Sequence, residues 1–137
     1  IWAAWARSLG AAAIHAYGDH ATSMTVLQDA LAVFAEIGDL SGIAVTSAGI
    51  ADNARRLGDP ETALYLVGAI HALQDETGIG VRTVIDRTVV EFSDPAAVAA
   101  LEPELADAYT RGRDAARDTW IDRALCWADD GRQTTDD

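Results

Sequence analysis

Apolar residues recur along the first half of this chain at three- and four-residue spacing, the pattern of helices with one buried face. After Asp19 the stripe consists of Met24, Leu27, Leu31 and Phe34. The segments after Asp39 and Asp59 carry similar stripes, and the alanine-rich residues 2–16 permit one. The pattern predicts four consecutive helices in residues 1–77.

A Gly-Asp pair separates these segments at Gly18-Asp19, Gly38-Asp39 and Gly58-Asp59, with a spacing of twenty residues. Glycine can adopt the left-handed conformation that ends a helix. The aspartate that follows can accept the free N–H groups of the next helix. Pro60 stands at the first helical position after Asp59, which suits a helix start. The pairs therefore predict short corners between helices.

The twenty-residue spacing of Gly-Asp pairs does not continue after residue 77, and residues 77–80 are predicted to form a loop. Residues 81–92 are rich in β-branched side chains, but Val81, Ile85, Val89 and Phe92 follow helical spacing rather than strict alternation. This segment is therefore predicted to be a helix.

Three further helices are predicted near the C-terminal end. They cover residues 95–101, residues 102 or 103 to 111, and residues 114–127, with Gly112 ending the second. Trp120 and Trp127 are expected to anchor the last helix. The polar residues 129–137 are predicted to be disordered.

Charge and cysteine content narrow the classes of function. The chain has 22 acidic and 10 basic side chains and a net charge of −12, which disfavours direct contact with nucleic acid or anionic membranes. The single cysteine, Cys126, leaves no intrachain disulfide and fits a reducing cytoplasm. Because the chain begins Ile-Trp rather than Met, we expect it to be a piece of a longer polypeptide.

Several residues around the first corner resemble the tetratricopeptide pattern. In that pattern a Leu-Gly on the first helix, a Gly-Asp turn and an Ala-Leu on the second helix hold a helix pair together. The corresponding residues here are Leu9-Gly10, Gly18-Asp19, Leu27, Ala30-Leu31 and Phe34. The helix pairs repeat about every 40 residues, against 34 in the standard motif.

This longer period, together with Leu-Gly-Asp-Pro-Glu-Thr-Ala at 57–63 and Leu-Val-Gly-Ala at 66–69, is similar to one group of proteins. These are large actinobacterial regulators in which a nucleotide-binding ATPase module is joined to a LuxR-type DNA-binding domain or to an adenylate or guanylate cyclase domain. Their C-terminal helical repeats also end in an order matched here by Leu101, Leu105, Tyr109, Gly112-Arg113 and Ala124-Leu125.

The helical pattern and this resemblance predict an all-α fold, a right-handed tetratricopeptide-like α-α superhelix of about seven helices. Residues 1–77 would form two helix pairs and residues 78–128 a C-terminal cap. The resemblance places the nucleotide-binding module outside this chain.

No catalytic residue, metal site or cofactor is predicted. His15 and His20 are separated by a helix break, and His71 is expected to be exposed or to line a pocket. Acidic pairs such as Asp75-Glu76 are expected to face water. Cys126 is expected to be an inert, half-buried thiol.

In the family, five positions on the helix after Asp39 line the inner groove of the solenoid; here they are Val45, Ala48, Asp52, Arg55 and Arg56. An arginine there can meet a carboxylate on a partner. A solvated arginine pair is the alternative, and both remain open.

The resemblance implies a non-enzymatic protein-interaction or ligand-sensing module of a multidomain signalling or transcription regulator. A protein or small-molecule effector would bind its concave face, and the rest of the parent chain would adjoin it. Self-association is expected through the first helix, where Trp2 and Trp5 would otherwise pack on a preceding repeat. The alternatives are a structural cap of a longer array and, last, a small helical enzyme.

Overall fold

The computed structural model describes Trp5, residues 18–79, Ala100 and residues 102–128. The regular structure of these residues is helical throughout and includes no strand, which confirms the all-α class for this part of the chain. Its five helices are α1 (His20–Ile37), α2 (Leu40–Arg56), α3 (Pro60–Thr77), α4 (Pro103–Asp114) and α5 (Arg117–Leu125).

Some predicted elements lie outside the described residues. These are most of the predicted helices over residues 2–16, 81–92 and 95–101, and the tail over residues 129–137. The five helices described therefore do not match the predicted number of about seven.

The corners between α1, α2 and α3 form as the Gly-Asp pairs predict. Gly38 and Gly58 have φ angles of 75° and 96°, in the left-handed region that glycine adopts without strain. Each corner aspartate accepts a hydrogen bond from the backbone N–H three residues later, at 3.0 to 3.1 Å. The bond from Thr22 lowers the pKa of the Asp19 carboxyl. Connections this short make consecutive helices antiparallel neighbours.

The predicted stripe of α1 is its buried face, since Met24, Leu27, Leu31 and Phe34 are at most 6% exposed. Helices α2 and α3 are instead buried on most of their sides. A single apolar stripe does not predict burial on several sides, because the additional buried faces consist of small residues such as alanine, serine and glycine.

Helices α1 and α2 approach closely at two glycines of α2. Gly42 lies against the ring of Phe34, and a Cβ there would overlap with that ring. At Gly49 a Cβ would stand 2.8 Å from Cδ1 of Leu27. Trp5 packs on the same region, edge-on to Phe34 with ring centroids 5.0 Å apart. Trp5 therefore contacts α1 of its own chain, and its packing on a preceding repeat stays a prediction.

Helices α3 and α4 cross at a reciprocal pair of glycines. A Cβ at Gly68 would overlap with the carbonyl oxygen of Tyr109, and a Cβ at Gly112 would overlap with the carbonyl oxygen of Tyr65. The two backbones are therefore in direct contact. This corrects the prediction for Gly112, which lies inside α4 and provides contact with α3 instead of ending the helix.

Ion pairs flank this crossing on its exposed side. Arg111, Arg113 and Arg117 reach the α3 carboxylates of Glu61, Asp75 and Glu76 at 3.1, 2.9 and 3.5 Å, respectively. Exposed pairs of this kind contribute about 0–1 kcal/mol each. The pairs of Arg111 and Arg113 orient α4 on α3, and the pair of Arg117 joins the start of α5 to α3. The buried backbone contact holds α3 and α4 together.

The chain breaks between α4 and α5 at Ala115 and Ala116, whose ψ angles of 142° and 148° are extended. The last helix thus begins at Arg117 and not at residue 114. It returns to α1 and α3: Gln28 Nε2 donates to the carbonyls of Ala124 and Trp127, at 3.0 and 2.9 Å. Trp120 is 3% exposed, as expected of an anchor.

None of the helices in the described part of the chain has the length and apolar character that crossing a membrane requires.

Gly68→Ala is expected to destabilise the 137-residue chain, because the new methyl group would meet a backbone carbonyl that cannot turn aside. Overpacking of this kind costs about 1–3 kcal/mol. Gly49→Ala is the matched control, since it meets only the end of the Leu27 side chain and gains about 1 kcal/mol of helix propensity. Chemical denaturation measures both. Equal losses would contradict a backbone contact between α3 and α4.

Asp59→Ala is expected to cost more stability than Asp39→Ala. Both changes remove an N-cap, worth about 0.5–2 kcal/mol. Asp59 is also only 6% exposed, and its Oδ2 accepts a hydrogen bond from Trp127 Nε1 at 2.9 Å. The added loss should be about 1 kcal/mol in denaturant unfolding. Indistinguishable values would mean that the Trp127 contact contributes nothing.

Candidate functional site

The last turns of α2 place one carboxylate between two guanidinium groups. Arg55 Nη2 donates to Asp52 Oδ1 at 2.8 Å, and Arg56 Nε donates to Asp52 Oδ2 at 3.2 Å. The groups meet because residues three and four apart share one face of a helix. The Asp52 side chain is 4% exposed, against 23% and 44% for Arg55 and Arg56. The carboxylate is therefore buried beneath the cations that it orients.

The charges of this cluster sum to one positive charge, in a chain whose net charge is −12. Both arginines lie in the final turn of α2, where cations interact favourably with the negative end of the helix dipole. A guanidinium offers five N–H donors in a planar fork that matches a carboxylate or phosphate. The exposed side of Arg56 can therefore receive an anionic group without dismantling the bonds to Asp52.

Of the five predicted groove residues, the structure joins Asp52, Arg55 and Arg56 in one cluster. The other two take no part in its hydrogen bonds. Val45 is half-buried, and Ala48 is 1% exposed. Ala48 and Asp52 offer almost no surface to a partner. Asp52 acts instead by holding Arg55 and Arg56 in place, so the surface that remains for binding is cationic.

A polar network between α3 and α4 was not predicted. The side chain of His71, expected to be exposed or to line a pocket, is 7% exposed, and its Nδ1 lies 2.8 Å from the Tyr109 hydroxyl. Arg113 binds Asp75 at 2.9 Å, and hydrogen bonds to Asp75 and then Tyr109 raise the pKa of its guanidinium. Only the crossing of the two helices brings these residues together, so no local pattern could reveal the network.

Gln74, one turn beyond His71 on α3, is 7% exposed, and neither polar atom of its amide has a hydrogen-bond partner among the residues that the structure describes. A buried polar group in that state costs about 1–3 kcal/mol. Glutamine on a helix ordinarily indicates an exposed face, so its sequence context gave no signal.

Other candidate chemistry is dispersed. Within the described ranges, no group of three or more His, Cys, Asp or Glu side chains is arranged to hold a metal ion. His20 begins α1 and His71 lies on α3, while His15 is outside the described residues. Cys126 is exposed just after α5, whereas we expected it to be half-buried.

Comparison of the chain with models of known protein families, with curated proteins and with solved structures finds no match. The function must therefore be argued from the residues and their geometry.

Asp52→Asn is expected to destabilise the chain by about 1–3 kcal/mol, because it weakens two charge-assisted hydrogen bonds at a buried carboxylate. Asp107→Asn is the matched control, since Asp107 also pairs with an arginine four residues later but is 67% exposed. Its cost should be about 0.5 kcal/mol or less. Denaturant unfolding compares the two, and a larger loss at Asp107 would remove the structural role assigned to Asp52.

Proposed function

We propose that this chain is a non-enzymatic interaction or ligand-sensing module, built as a tetratricopeptide-like helical array within a multidomain signalling or transcription regulator of the cytoplasm. The observation that carries the proposal is the repeated corner. Three consecutive helices of 17 or 18 residues, α1 to α3, begin with the same aspartate cap at twenty-residue spacing.

Repeated corners favour a stack of side-by-side helices, as in helical repeat proteins. Each corner combines a glycine of positive φ with a capping aspartate, although Gly38 directly follows α1 whereas Leu57 stands between α2 and Gly58. Close approach at Gly42 and Gly49 suits such a stack, because it brings α1 and α2 together along their length. A right-handed superhelix with a concave face is the architecture we propose for this arrangement.

The proposed ligand contact is the exposed side of Arg55 and Arg56. A partner or effector that carries a carboxylate would form charge-assisted hydrogen bonds with a guanidinium already oriented by Asp52. Pre-orientation reduces the side-chain entropy lost on binding. In a regulator, binding would shift the population between two packings of the array and so alter the activity of a neighbouring domain.

A structural cap is the second candidate function. It is favoured by the course of α5, which returns to the rest of the array through Gln28 and Asp59. Arg123 adds a contact, stacking 4.2 Å above the Tyr65 ring. A helix that covers the preceding ones in this way would close the apolar end of a longer array.

Arg56→Ala is expected to weaken binding of a peptide with a free C-terminal carboxylate about three- to tenfold, because it removes a charge-assisted hydrogen bond. The probe is a fluorescein-labelled hexapeptide pool with free α-carboxylates, compared with the same pool amidated, and anisotropy reports binding to the 137-residue chain. Arg111→Ala is the matched control, because its side chain is 48% exposed and also pairs with aspartate.

Two results would contradict this assignment. Equal binding of the amidated and free peptides would show that no carboxylate is recognised, and an equal loss with Arg111→Ala would show a simple charge effect.

The two candidate functions are distinguished by an experiment on the parent polypeptide that the proposal implies. If the Arg55→Ala/Arg56→Ala variant of that parent keeps its regulated output while deletion of α5 abolishes folding, the cap is favoured.

A further inference from the structure

A cleft of about 700 Å³ opens between the α1–α2 corner and α5. Its apolar lining comes from both sides: Ala35, Leu40 and Ile43 on one, Ile121 and Leu125 on the other. The cleft is thus an apolar slot at the corner between α1 and α2, and α5 forms its other wall.

An exposed apolar residue adjoins this cleft in sequence. Ile37 is next to the lining residue Gly38 and is 52% exposed, the large apolar side chain of the described residues that stands furthest into solvent. Removing such a side chain from water favours association with an apolar partner. Ile37 is therefore a favourable point of contact for an apolar side chain.

The wall formed by α5 is acidic. Asp118 and Asp122 both line the cleft, are exposed, and receive no hydrogen bond or ion pair from any side chain that the structure describes. Arg117 is the one cation among the described residues of the lining, and it is directed at Glu76 at 3.5 Å. Like charges four residues apart on a helix repel each other. A cation seated between them would relieve that repulsion.

We propose that this cleft binds a basic amphipathic helix of a partner protein, with an aliphatic side chain in the slot and arginine or lysine at Asp118 and Asp122. The two carboxylates lie one helical turn apart, so a partner helix alongside α5 would match them with cations at positions i and i+4. An aliphatic residue at i+3 lies on the same face as these cations. The inference rests on the proposed interaction role and specifies one partner chemistry for it.

Charge selects this occupant over others. A second copy of this chain would bring another 12 negative charges toward the acidic wall, and nucleic acid would be repelled in the same way. A basic segment would be attracted from a distance by the net charge and held at close range by the carboxylates.

The cleft is independent of the arginine cluster. Leu40 stands at the start of α2 and Arg55 near its end, about 22 Å apart at the helical rise per residue. The cleft beside the start of α2 would therefore recognise a cation through the carboxylates of α5, and the arginine cluster at the end of α2 would recognise an anion.

The test uses a labelled, acetylated and amidated dodecapeptide that carries arginine at i and i+4 and leucine at i+3 in each turn. Two comparison peptides replace arginine by glutamate, or leucine by serine. Anisotropy with the 137-residue chain should show binding of the arginine–leucine peptide only, weakened as salt rises from about 0.05 to about 0.5 M. In a two-dimensional NMR titration, the amide signals of Leu40, Ile43 and Ile121 should shift.

The variant Asp118→Asn/Asp122→Asn should weaken binding about three- to tenfold, the effect of losing two exposed charge contacts. Glu104→Gln/Asp107→Asn is the matched control, because it removes the same charge from exposed positions of α4. Ile37→Ser should weaken binding without changing its salt dependence. Circular dichroism checks that each variant remains helical, and the peptide comparisons need no variant.

The inference is overturned if the glutamate peptide binds as well, if the serine peptide binds as well, or if both double variants lose the same affinity. Shifts confined to the α2 C-terminus would also overturn it. If the basic peptide fails while carboxylate peptides bind at Arg56, the cleft assignment falls and the proposed interaction role stands. If both peptides fail and deleting the module leaves the parent's regulation unchanged, the proposed function itself falls.

Discussion

The contact on which the described structure most depends is the crossing of α3 and α4 at Gly68 and Gly112. Each glycine lets the carbonyl of the other helix occupy the space of a missing side chain. Because the backbones touch, the polar side chains around them reach across: His71 meets Tyr109, and Arg113 meets Asp75. A bulkier residue at either glycine would separate the helices and lengthen all of these contacts together.

Small residues also allow close helix packing in the first part of the chain. Gly42 receives the Phe34 ring and Gly49 the Leu27 side chain, so α1 and α2 lie close together. The Gly-Asp corners set the antiparallel order, and the glycines and alanines between them set the spacing. Asp59 links the start of α3 to the residues after α5, since its carboxylate caps α3 and also accepts a hydrogen bond from the Trp127 indole.

The residues of the candidate site could be predicted from the sequence, but the burial of its carboxylate could not. The spacing of Asp52, Arg55 and Arg56 places them on one helix face, and the structure joins them in a single cluster. The burial of Asp52 depends on what packs over α2, which no spacing within α2 reveals. Gly112 shows the same limit, since a glycine between two helical patterns is typical of a helix end until a neighbouring backbone is known to press against it.

The amino-acid sequence alone predicts the helical class, the corners and the starts of α1 to α3. These follow from interactions within a few residues: a left-handed glycine, an aspartate cap, and apolar positions that recur with the helical turn. Tertiary packing produces three further features: the glycine crossing of α3 and α4, the return of α5, and the cleft between α5 and the α1–α2 corner. Those features join residues far apart in the chain, and their free energy comes from surfaces that do not exist until the helices have packed.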